Sequence, residues 1–125
     1  MVRSIAYWAS TIIVAVMLGL ALIYLTGSPE VVAGFTHVRY PQHLRIVLGV
    51  AKPAAAIVLL LPGLPLLKEW AYAGAALAFS MAFVAHWQAG DGMQSIMPLV
   101  PLILLIVSYL TRPASRRLAV APLPV

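Results

Sequence analysis

The chain has 125 residues, of which 63% are hydrophobic and only 9% charged. A soluble domain carries about a quarter charged residues to build a solvated surface; eight basic and three acidic residues cannot coat a globule of this size. Most of the chain therefore has lipid as its solvent.

The length accommodates one domain, 1–125. The net charge is +5, but the bases are scattered or gathered in a short C-terminal tail, 112–125, without aromatic interleaving. A membrane-orienting role explains them better than nucleic acid, which is not an expected partner. Cysteine is absent. That excludes disulfides, thiolate metal sites, iron–sulfur clusters and a dithiol relay.

Four apolar stretches follow in chain order, at about 5–25, 44–61, 70–88 and 94–111. A spanning helix needs about 20 mainly apolar residues, and each stretch approaches or meets that length. They lack the alternation of barrel strands, and backbone in hydrocarbon must satisfy its own hydrogen bonds, so helices are expected. The expected fold is all-α, a bundle of four transmembrane helices. The first stretch is longer than a signal-peptide core and no small-residue cleavage site follows it, so it is expected to be retained. Pro62, Gly63 and Pro65 end the second.

Arg3, Lys68, Arg112, Arg116 and Arg117 fall on one face, against Arg39 and Arg45 on the other. This bias predicts both termini in the cytoplasm of a multi-pass inner-membrane protein. Gly74, Ala78, Ala82 and His86 recur every four residues along the third helix. Such a stripe lets a neighbouring helix approach closely, which predicts a central position for this helix.

Lys52 is the most informative polar residue. It sits roughly 12 Å into the second helix at 1.5 Å per residue. An unpaired ammonium at that depth costs on the order of 3 kcal/mol, so a partner in the bundle interior is expected, with snorkelling to the headgroups as the plainer reading. Pro53 follows it and removes an amide donor, which predicts a kink there.

His86 lies near the end of the third helix and Asp91 in the turn beyond it, on the side covered by the 27–43 loop. Since the second and third helices run antiparallel, a pocket beneath this loop is expected to gather Lys52, His86, Asp91 and Glu30. Histidine and a desolvated lysine suit proton transfer. Lys52, His86, Glu69 and Asp91 are thus the catalytic candidates, and Glu30, His37, Tyr40, Tyr72 and Ser80 the ligand-binding ones. For Glu69 a place in the favourable first turn of a helix is the preferred structural reading. The three histidines show no metal-ligand spacing, and only His86 lies at helix depth, so neither a structural metal nor haem is expected. The cofactor is left unknown.

The chain resembles the DoxX-like family of small four-helix membrane proteins. Tyr40-Pro41, Leu48-Gly49-Val50-Ala51-Lys52, Leu60-Leu61-Pro62-Gly63 and above all Leu67-Lys68-Glu69-Trp70-Ala71-Tyr72-Ala73-Gly74 carry the resemblance. His86, Gly90-Asp91, Pro98 and Ser108-Tyr109 extend it from about Tyr7 to Pro113. The resemblance implies a bacterial membrane fold whose founder is associated with thiosulfate oxidation and quinone reduction, and carries no particular reaction with it. Some relatives use cysteines, which this chain lacks. Pro53-Ala54-Ala55-Ala56 departs from the Leu-Gly expected after the lysine, a change that would widen the cavity there.

The leading expectation is a polar intramembrane pocket that binds a hydrophobic small molecule, a quinone or terpenoid-like lipid, in a membrane redox system. A redox or biosynthetic partner protein and a homo-oligomer are compatible with it. The alternatives are a membrane-embedded isomerase, cyclase or hydrolase using acid–base chemistry, and an assembly partner without activity of its own.

Overall fold

The computed structural model describes residues 1–119, so the last six residues of the basic tail lie outside the described part. Among the described residues the fold is all-α, without strands. It comprises α1 (Val2–Gly19), α2 (Pro29–His37), α3 (Gln42–Leu60), α4 (Pro65–Gln88) and α5 (Leu99–Leu110). Single 3-10 stretches occupy Leu20–Thr26, Gly92–Ile96 and Ala114–Arg116.

Three segments are long and apolar enough to cross a membrane: Val2–Thr26, Gln42–Leu60 and Gly92–Leu110, with mean hydropathies of 2.2, 1.7 and 2.0. The fourth expected span lies in α4 and is not among them. That helix has 24 residues, but Lys68 and Glu69 near its start and His86 and Gln88 at its end dilute its apolar centre. Ile12, Val16, Val50, Ile57, Leu77 and Ile103 point outward and are about half exposed or more, as lipid-facing side chains are.

Two element boundaries differ from the sequence expectation. The 27–43 stretch is not all loop, because nine of its residues wind into α2. Ser28 caps that helix, its hydroxyl accepting from the Val31 amide at 3.4 Å, with Pro29 in the first turn and Glu30 beside the positive end of the dipole. The last apolar stretch is also not one helix: its first turn is 3-10, and α5 begins only after Pro98, its N-cap. Pro53, by contrast, is accommodated within an uninterrupted α3 and is buried.

α1 packs on α3 and α5, and α4 packs on the same two helices. The core lies between them, built from Val14 and Leu18 of α1, Ala56 and Leu59 of α3, Tyr72 and Phe79 of α4 and Leu105 of α5. The small-residue stripe of α4 does not draw in a neighbour as expected. A Cβ on Gly74 would meet nothing within 4 Å. The close approach falls at Gly49 instead, where a Cβ would lie 2.7 Å from Leu25 Cδ2 and 3.3 Å from Tyr24 Cβ. Gly49 thus lets the end of the first span lie against α3. A chain of hydroxyls ties three helices together: Ser108 Oγ of α5 lies 2.6 Å from Thr11 Oγ1 of α1 and 2.7 Å from Tyr72 Oη of α4.

The bases counted toward one membrane face finish helices. Arg3 donates to the Leu110 carbonyl at the end of α5. Lys68 is 1% exposed, and its Nζ donates to the carbonyls of Val58 (2.8 Å), Gly63 (2.7 Å) and Leu61. Arg116, also buried, donates to the Leu59 and Leu60 carbonyls at 3.0 and 3.3 Å. The last carbonyls of α3 have no amide partner, because Pro62 and Gly63 stop the helix. Two cations supply the missing donors at the negative end of its dipole.

Candidate functional site

A cavity of about 260 Å³ lies between α2, α3 and α4. Tyr24 and Phe35 form its aromatic wall, edge to face with centroids 4.9 Å apart. Tyr40, Lys52 and His86 bring polar groups to it, and Ala82 leaves room for them. The antiparallel run of α3 and α4 places Lys52 and His86 in the same half of the molecule, as the sequence implies.

Lys52 is half-buried. Its ammonium stands 5.3 Å from the Tyr24 ring centre and 5.6 Å from that of Phe79. The expected carboxylate partner is not there: among the described residues Glu69 and Asp91 are engaged elsewhere, and Glu30 is exposed at the start of α2. Two ring faces take its place, each a cation–π contact worth about 0.5–2 kcal/mol. Beside them, the Tyr40 hydroxyl is buried without a hydrogen-bond partner. Burial, reinforced by Tyr24, raises the pKa of that phenol above its ordinary value.

Asp91 stands one layer behind. Its two oxygens meet two imidazoles, Oδ2 at 2.5 Å from His86 Nδ1 and Oδ1 at 2.6 Å from His37 Nε2. Hydrogen bonds from His86 first and His37 second hold the carboxyl below the usual carboxylate range. The bridge joins the end of α2 to the end of α4, so it holds α2 over the cavity. It also orients His86, leaving that ring's Nε2 as the nitrogen free for other contacts. Each imidazole takes a different oxygen of one carboxylate, and among the described residues no group of three or more such side chains is placed to hold a metal ion.

The structure brings together Lys52, His86 and Tyr40, with Asp91 and His37 behind them. It separates the others. Glu69 sits seventeen residues before His86 on α4, about 25 Å along the helix, too far to share chemistry with it. Its carboxylate accepts from Arg112 Nη1 at 2.5 Å and from the Tyr109 hydroxyl at 3.0 Å. The Arg112 guanidinium in turn stacks 3.7 Å from the Tyr109 ring centre. Tyr72 spends its hydroxyl on Ser108 in the core, away from the cavity. Ser80 faces a shallower depression with Arg39 and Met81. Glu30 serves the α2 N-terminus.

Residues the sequence reading did not assign to the site are Tyr24, Phe35 and Ala82. The Ser28-Pro29-Glu30 start signal would have placed Phe35 on a helix, and hence above Lys52.

An outward apolar surface around a half-buried cation and a partly open cavity defines a small helical membrane protein. The model of the DoxX-like family matches residues 8–108, and the chain belongs to that family. Comparison with curated proteins gave no match, and comparison with solved structures gave none either.

Proposed function

We propose that the protein spans the inner membrane four times, α4 being the fourth span, with both termini in the cytoplasm. In this arrangement the cavity under α2 opens in the non-cytoplasmic half and binds a lipid-soluble small molecule with a polar head, of the kind a quinone or a terpenoid-like lipid represents. One observation carries the reading: a lysine at membrane depth, without a carboxylate partner among the described residues, borders a cavity that also holds an unpartnered tyrosine hydroxyl. Ionisable groups so placed are expensive, and they mark binding or transport sites. A redox role would follow if the occupant were a quinone serving a partner protein.

The test is thermal stabilisation of the purified protein by a panel containing a short-chain ubiquinone, farnesol and oleate. At least one compound is expected to stabilise the wild type, and Ala82→Phe, which fills the cavity, to abolish the effect. Equal stabilisation of both proteins would contradict the assignment.

A second reading has support from the His86–Asp91 pair. A histidine on a cavity wall, oriented by a carboxylate, is the arrangement of a general base. On this reading the protein is an isomerase, cyclase or hydrolase of a lipid-soluble substrate, with His86 moving the proton and Lys52 stabilising the negative charge that develops. Loss of product formation in His86→Gln with ligand affinity retained would favour it. Loss of affinity alone would favour binding.

A further inference from the structure

Two cavities meet at Lys52. The second, of about 350 Å³, lies between α3 and α4 on the side toward Lys68. Apart from Lys52 its lining is apolar, with Leu18, Val58, Trp70 and Gly74 among the contributors. Leu48, Lys52 and Ala78 border both spaces. Trp70 is 65% exposed, so this second space reaches the outer, lipid-facing surface.

Lys52 is the polar group at the junction, and Tyr40 and His86 line the first cavity with it. Lys52 offers three N–H groups and Tyr40 one O–H, and neither has a hydrogen-bond acceptor among the described residues. His86 has its Nδ1 committed to Asp91. No carboxylate of the described chain neutralises the ammonium, since Glu69 and Asp91 have their own partners and Glu30 is exposed. A site made of a cation and a hydroxyl donor is complementary to an oxyanion, whereas a neutral head would leave the charge uncompensated at membrane depth.

We infer that the two cavities hold one molecule, a single-chain amphiphile whose carboxylate or phosphate-monoester head rests on Lys52 and Tyr40 and whose hydrocarbon chain runs between α3 and α4. This rests on the reading of the α2-covered cavity as a ligand site and narrows it. Lys52 then pairs with its ligand, which explains why the fold supplies it with ring faces in place of an acid. The chain would enter from the bilayer past Trp70.

Gly74 provides a clean probe of the chain-binding half, because a side chain there meets open space and the residue borders the second cavity alone. Equilibrium binding to the purified protein would be measured for oleate, farnesyl monophosphate, methyl oleate and a short-chain ubiquinone. At least one of the two anions is expected to bind, and the tighter one identifies the head as carboxylate or phosphate. Lys52→Met should weaken that anion roughly ten- to hundredfold, the worth of one charge-assisted hydrogen bond. Gly74→Leu should weaken the same long-chain anion while leaving hexanoate, which occupies the head site alone, unaffected. A neutral probe that binds as tightly as the anions, or an anion indifferent to Lys52→Met, would overturn the head assignment and leave the cavity reading standing. An anion indifferent to Gly74→Leu would overturn the placement of the chain. If no probe binds, both readings fall.

Discussion

Lys52 holds its ammonium 5.3 Å from the centre of the Tyr24 ring, and this ring, with Phe79, occupies the position where a buried lysine would ordinarily have a carboxylate. Ring faces return part of the cost of burying an ammonium, about 0.5–2 kcal/mol per contact. The remainder is stability given up for a charge available to something outside the chain. Lys52→Met is therefore expected to leave the ligand-free protein as stable as the wild type or slightly more so, since ground given up for function returns when the function is removed. Thermal denaturation in detergent checks this, and a marked fall in melting temperature would show Lys52 to be structural.

Lys68 makes the opposite case. It is almost fully enclosed, and its ammonium serves three carbonyls at the broken end of α3. Lys68→Met should lose about 2–3 kcal/mol, because hydrogen bonds to a charged donor disappear and buried acceptors are left unpaired. Denaturant titration of the two lysine variants side by side would separate them: loss of stability at position 68, little change at 52.

The Asp91 bridge has a direction in pH. Its carboxyl titrates lower in the folded protein than in the unfolded chain, so the stability it contributes is present above the unfolded value of about 3.9. That contribution is lost as pH falls through the lower folded value. Asp91→Asn should accordingly be less stable than wild type near neutral pH, with the difference closing below about pH 4. Melting temperatures of both proteins across this range would show the curves converging on the acid side.

Topology can be read with single cysteines, because the native chain has none. Glu30→Cys and Ser115→Cys both lie at exposed positions. In sealed inside-out vesicles an impermeant maleimide is expected to label position 115 and spare position 30. Labelling of both from one side would refute the three spans between them that put α2 on the far face.

Much of the fold is legible because hydrocarbon demands long uncharged helices, and Val2–Thr26 and Gln42–Leu60 answer that demand directly. What hid α2 is its length: nine residues, half of them polar or small, carry no span signal, although their cap chemistry was present in Ser28, Pro29 and Glu30. In the site, Lys52 and His86 were legible since antiparallel helices fix depth. Rotation about the helix axis was not. A helix apolar on nearly every side does not announce which face turns inward, so nothing in the sequence separates Tyr72 and Ser80 from His86, although they point elsewhere. The expectation of Glu69 as a first-turn carboxylate fails because α4 already begins at Pro65 and has no acid in its first turn; its carboxylate instead meets Arg112, 43 residues away, a contact that only the return of α5 creates.

The measurement that bears most directly on the central claim is photolabelling with a lipid-soluble diazirine probe, mapped by mass spectrometry of the cleaved chain. Occupation of the cavities predicts competitor-sensitive labels on Leu48, Lys52, Ala78 and Ala82, which line them. Labels confined to Val47, Val50, Ile57 and Leu77, on the outward surface of the same two helices, would mean that the molecule meets its lipids only from outside, and the account would be wrong.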